Sequence, residues 1–229
     1  MIRTACTCLT AALVLGLSAS ALAQATSSHP ALDRYLSRTD FAISAIGQFD
    51  SNVSGTVPAN NGAPNAGNNI TISPGNTLGA VGTVRYIRKP YQGGEFNYTY
   101  ARYTETLNNN TTGQPQQPGQ IQTGVDEMSG GYVITPPHQI FGLQPFASIG
   151  FGSTRFRPTR GGGQGSPIQW RATYYYSVGL QKEFGDSHFG ARVSFRQAFF
   201  KTPDFLLNYL TINQHTSTVE PTVGFYVRF

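Results

Sequence analysis

Val219-Glu-Pro-Thr-Val-Gly-Phe-Tyr-Val-Arg-Phe229 is the stretch that decides the fold. Val219, Pro221, Val223, Phe225, Val227 and Phe229 share one parity, and Glu220, Thr222, Gly224, Tyr226 and Arg228 share the other. Successive side chains of a strand point to opposite faces, so the segment makes one apolar face and one small or polar face. A helix has no use for this period. The same register returns at Trp170, Ala172, Tyr174, Tyr176, Val178 and Leu180, with Arg171, Thr173, Tyr175, Ser177 and Gln181 between them. It returns again at Phe189, Ala191, Val193 and Phe195, and near the front at Phe41, Ile43, Ala45, Gly47 and Phe49.

Weaker alternation fills the middle. Leu78 to Tyr86, Phe96 to Tyr100 and Leu143 to Phe151 each keep a parity, and residues 122–135 are the least regular, with Met128, Tyr132 and Ile134 in phase. The sum is eight candidate strands of about 10–15 residues. Their connections alternate between short (89–93, 136–140, 185–187) and long (55–74, 108–120, 157–166, 201–214). The long ones are rich in Asn, Gly, Pro, Gln and Thr, and such composition buries too little apolar surface to offset ordering entropy, which predicts mobile loops.

Only 12% of the 229 residues are charged, and mean hydropathy is −0.25. No apolar run beyond the N-terminus approaches the ~20 residues of a membrane-crossing helix. The 16 basic residues form no cluster of the kind that binds nucleic acid, so nucleic acid is not an expected partner. Residues 1–23 carry Arg3, a short apolar core and the small-residue end Ala21-Leu-Ala23, the pattern of a secretory signal peptide. Cys6 and Cys8 both lie inside it, so cleavage after Ala23 leaves a chain with no cysteine, ordinary for a bacterial envelope protein. Residues 24–37 then read as a short periplasmic lead, and 38–229 as one domain.

Alternating strands also build soluble sandwiches, but sandwich strands are shorter and polar on their outward face. These strands are long enough for a tilted bilayer crossing of about 9–11 residues. Their apolar parity carries aromatics near both ends, as at Phe41 and Phe49 or Phe189 and Phe199, matching interfacial girdles. The predicted fold is all-β: an eight-stranded antiparallel up-and-down transmembrane β-barrel with short periplasmic turns and long extracellular loops.

With its signal peptide, eight strands and terminal Val223-Gly-Phe-Tyr-Val-Arg-Phe229, the chain resembles the small OmpA/OmpX-type outer-membrane barrels of Gram-negative-type bacteria. The resemblance implies the cell outer membrane as the location. It also implies recognition by the barrel-assembly machinery through Val223, Phe225, Val227 and Phe229. A lipid bilayer containing lipopolysaccharide is the implied surrounding, and a monomer is expected. Chemistry is sparsely marked. His29, His138, His188 and His215 lack metal-ligand spacing, so no metal or cofactor is expected. His215 and Ser217 share a strand face, as do the His-x-Ser pairs of outer-membrane lipid A deacylases, but Glu220, the nearest carboxylate, has the opposite parity. No catalytic residues are expected.

The lumen parity is the informative site. It carries Arg85, Arg171, Arg192, Arg196 and Arg228 against Asp50, Glu95, Glu105, Glu127, Glu183 and Glu220. An eight-stranded barrel is barely wide enough for its own side chains, so charges there have to pair. The expectation is a non-enzymatic barrel plugged by ion pairs, acting through its extracellular loops. A narrow, porin-like channel for ions or small solutes is the alternative, and a lipid A-modifying enzyme ranks third.

Overall fold

The computed structural model describes residues 34–60, 62–89, 91–185 and 188–228. The signal peptide, most of the lead, His29, Cys6, Cys8 and Phe229 lie outside the described residues. Eight long strands form the wall: β1 (Thr39–Asp50), β4 (Thr77–Lys89), β5 (Gln92–Asn109), β6 (Gln114–Ile134), β7 (Gln144–Pro158), β8 (Gln169–Glu183), β9 (Phe189–Lys201) and β10 (His215–Arg228). Each pairs antiparallel with its neighbours in sequence, and β1 pairs with β10 from Asp40↔Arg228 to Asp50↔Thr218, which closes the barrel. Closure leaves no wall strand with an unpaired edge, as lipid requires.

The wall separates the two parities. Leu78 is 81% exposed and Phe151 72%, and Ile43, Ile149, Tyr174, Val223 and Phe225 share their outward face. So large an exposed apolar surface is incompatible with water and fits lipid. The inward parity is mainly polar, and its few aromatics sit in gaps left by glycine. A Cβ on Gly131 or Gly150 would come within 2.2 Å and 2.6 Å of Tyr175, so these two glycines make room for that ring in the lumen.

The extracellular end departs from the sequence expectation of mobile loops. Residues 55–74 contain a hairpin, β2 (Val53–Thr56) and β3 (Asn69–Pro74), and β3 also pairs with β5. Residues 108–120 are mostly strand, with β5 and β6 running on to a tight turn over 110–113. Residues 201–214 hold a 3₁₀ turn, Asn208–Leu210. The reason is a second core that alternation does not display. Val57 and Ile70 from the first long connection and Phe205, Leu210 and Ile212 from the last pack with Leu107, Ile121 and Phe156 on the upper ends of β5, β6 and β7, and bury one another over the mouth of the barrel. A few well-placed apolar residues offset the ordering entropy that the polar composition alone could not.

Candidate functional site

The lumen is a ladder of charged side chains. At the periplasmic mouth Arg228 bonds Glu183 and lies 3.8 Å from Asp40. Asp40 also takes both carboxylate contacts of Arg192, at 3.0 and 3.1 Å. Gln181 accepts from Arg192 and from Arg85, joining this rung to the next. There Arg85 donates twice to one oxygen of Glu95, at 2.7 and 3.1 Å, while the other accepts from Ser148 at 2.7 Å and from Tyr175 at 3.1 Å. In the third rung Arg196 bridges Glu127 and Glu220, with its guanidinium 4.4 Å from the centre of the Tyr175 ring. Phe146 and Tyr226 hold Arg85 and Arg192 in the same way, at 4.3 and 4.8 Å. Cation–π contact adds to charge pairing where water is excluded.

The upper lumen is different. Asp50 accepts from Thr218, but its second oxygen has no hydrogen-bond partner among the described residues. Glu105 is 1% exposed and neither of its oxygens has one. Above them lies the apolar cap. The cavity left in mid-lumen, between Arg85, Glu95, Arg192 and Arg196, is about 40 Å³, room for only a few waters.

One polar device holds the cap down. Gln169 at the top of β8 donates to Asp204 and accepts from the amides of Asp204 and Phe205. Arg171 lies 3.0 Å from the same carboxylate, and Thr211 donates to its other oxygen. Burial alone would raise the Asp204 carboxyl; hydrogen bonds from Gln169 and the Leu206 amide, with the Arg171 charge, bring it below its ordinary value. Phe205 and Leu206 have φ of 49° and 57°, a strained conformation for such residues that these bonds hold in place. Phe205 thereby points into the apolar core and is fully buried.

Two structural comparisons bear on this arrangement. The Neisserial surface protein A has 11% identical residues, with 83% of this chain and 97% of that one aligned at a TM-score of 0.52. The outer-membrane protein OprG of Pseudomonas aeruginosa is 14% identical over 83% of this chain and 95% of that one, also at 0.52. This chain has the fold of the small OmpA/OmpX-type outer-membrane barrels. No family model matches the sequence, and no curated protein does. At such identities the likeness concerns the barrel and says nothing about its lumen, which has to be read from this chain's own residues.

Of the residues singled out from sequence in this barrel, Arg85, Glu95, Glu127, Arg192, Arg196 and Glu220 come together in mid-lumen. Glu183 and Arg228 meet at the periplasmic mouth instead, and Arg171 belongs to the cap. Among the described residues, Asp50 and Glu105 have no arginine. Sequence reading missed Asp40, the partner of Arg192, by starting the first strand at Phe41, although Asp40 has the parity of Ala42, Ser44 and Gln48. It also gave no role to Phe146, Tyr175 and Tyr226, because an aromatic among polar neighbours gives no hint of the arginine it will face. His215 is exposed at the start of β10, and Ser217 pairs with Ser51 at 3.3 Å. Glu220 is turned inward onto Arg196, so no carboxylate orients His215.

The outer wall carries a second polar group near the extracellular edge of the apolar band. Asp126 accepts from Tyr98 and lies 3.1 Å from Arg155 and 3.7 Å from Arg157. Arg155 sits 5.6 Å from the Trp170 ring, and Arg102 bonds Gln122. One carboxylate among three guanidiniums leaves this strip of wall positively charged.

Proposed function

We propose that the protein is a non-enzymatic outer-membrane barrel with a closed lumen, which presents its folded extracellular cap to the surroundings of the cell. The observation that carries this reading is the stacking of an apolar core directly over a ladder of bonded charges. Ions crossing the barrel would have to pass a mainly apolar cap and then separate buried pairs, each step costing several kcal/mol. The exposed side chains of the cap, Leu206 and Ile168 among them, are the surface available for contact. Lipopolysaccharide phosphates are the partners we assign to Arg102, Arg155 and Arg157 at the upper edge of the band. The terminal pattern Val223, Phe225 and Val227 serves recognition by the assembly machinery, and a monomer suffices for all of this.

A narrow channel is the second reading. It draws on Asp50 and Glu105, whose unpaired carboxylates would suit a cation path in the upper lumen. Solute efflux from proteoliposomes separates the two. The closed barrel predicts efflux of small cations no faster than from protein-free vesicles, and rapid efflux would transfer the argument to the channel.

A further inference from the structure

At the periplasmic end, three arginines gather around one cavity. The chain enters β1 from a short helical turn over 34–36, and Arg38 donates from Nη1 to the Arg88 carbonyl at 3.0 Å, fastening this turn to the end of β4. The Ile87 amide returns a bond to the Arg38 carbonyl at 2.8 Å. Arg34, Arg38 and Arg88 thereby surround one cavity of about 390 Å³, together with Tyr35 and Tyr86. None of the three forms an ion pair among the described residues. The nearby lumen carboxylates are already engaged, Asp40 with Arg192 and Glu95 with Arg85. Guanidiniums held together repel one another, so an anionic charge bound among them is favoured.

The cavity's place on the wall says where that charge comes from. Tyr86 has the outward parity of Leu78 and Val84, so it stands at the lower edge of the lipid-facing band. Tyr35 packs beside it with ring centroids 6.2 Å apart, and is itself 60% exposed. Aromatic rings at the end of an apolar band mark the headgroup level of a bilayer. Above it, on the same parity, Val84, Gly82 and Leu78 continue the lipid-facing wall. A molecule with an anionic head among the arginines and a tail along this apolar wall fits both features.

We infer that Arg34, Arg38 and Arg88 form a headgroup site for an anionic phospholipid of the periplasmic leaflet. Guanidinium forks bond phosphate oxygens in pairs, and Tyr35 and Tyr86 flank the glycerol region. The site lies at the opposite end of the barrel from the arginines assigned to lipopolysaccharide, and it does not depend on whether the lumen is closed.

Native mass spectrometry of the full mature chain, refolded in detergent with equal amounts of phosphatidylglycerol and phosphatidylethanolamine of matched chains, tests this. The expected result is enrichment of the phosphatidylglycerol adduct. Near-surface arginines contribute roughly fivefold each, so Arg34→Gln/Arg88→Gln should lower the enrichment on the order of 25-fold. Arg38 is kept because its bond to the Arg88 carbonyl secures the turn. If the double variant does not refold, Arg88→Gln alone, whose side chain is exposed and has no bond to lose, should give the fivefold step. Equal adducts of the two lipids, or an enrichment that the variants leave unchanged, overturns the site. So does displacement of the lipid by inorganic phosphate at comparable concentration, since that would make it a site for a soluble anion.

Discussion

Replacing Arg196 by Met should cost this barrel more stability than any single change to a surface charge. Arg196 is the one guanidinium between Glu127 and Glu220, and all three side chains are buried. Breaking one buried pair typically costs about 3–5 kcal/mol, because the remaining charge keeps its desolvation penalty and loses its partner. Arg196→Met strands two carboxylates that also face each other, so about 3–5 kcal/mol is the expected cost at neutral pH, proton uptake by a stranded carboxyl setting its limit. Glu220→Ala leaves Arg196 on Glu127 and should fall between this figure and the ~1 kcal/mol of an exposed pair. Removing all three charges, as Arg196→Met/Glu127→Gln/Glu220→Gln, should recover most of the loss, since a buried triad replaced as a whole is often neutral or stabilising. The assay is urea unfolding of refolded protein in micelles, followed by the fluorescence of Trp170. It is the chain's single tryptophan and lies 54% exposed on the lipid-facing wall, so it passes from a lipid-like to an aqueous setting on unfolding. If Arg196→Met unfolds within ~1 kcal/mol of the wild type, the third rung stands in water and the reasoning fails.

Three further outcomes follow from the same geometry. Glu105→Leu removes a buried carboxylate that has no ion-pair partner among the described residues, next to the inward-facing Tyr103 and Leu107, and should stabilise by about 1–3 kcal/mol in the same urea assay; destabilisation would mean that the Tyr103 hydroxyl or a bound cation holds Glu105 in place. Phe205→Ala empties the centre of the cap at a cost of about 3–5 kcal/mol, and should expose residues 203–212 to protease added to intact cells; resistance equal to the wild type would show that the cap does not rest on this ring. The Asp204 carboxyl is depressed in the folded protein, so its contribution is present above the ordinary carboxylate value near 4 and is lost as pH falls through the lower folded value. Amide exchange over 203–211 should therefore accelerate in strongly acidic buffer, and Asp204→Asn should show fast exchange already at neutral pH.

The wall was legible in the sequence because lipid on one side and a polar lumen on the other impose strict alternation. Trp170 to Leu180 and Val219 to Val227 display it without interruption. Ion pairing within the lumen followed from parity and confinement, but the choice of partners did not. Asp40 comes from β1 and Arg192 from β9, 152 positions later, and only closure through β10 brings them together. The cap was illegible for a different reason. Its apolar residues keep no strand period: Val57, Ala63 and Ile70 are spread through 55–74, Phe205, Leu210 and Ile212 fall within 201–214, and Leu107, Ile121 and Phe156 belong to the ends of wall strands. Phe205 makes the point: it opens the run Phe205-Leu-Leu207, whose sequence does not say which side chain turns inward, and its burial depends on Gln169 and Asp204 holding a left-handed backbone.

Single-channel recording of the wild-type protein in a planar bilayer tests the central claim most directly. A lumen filled by the Arg85, Arg192 and Arg196 rungs and roofed by the Phe205 core predicts a baseline indistinguishable from the bare bilayer. Steady, stepwise conductance from the unmodified protein would contradict the closed barrel.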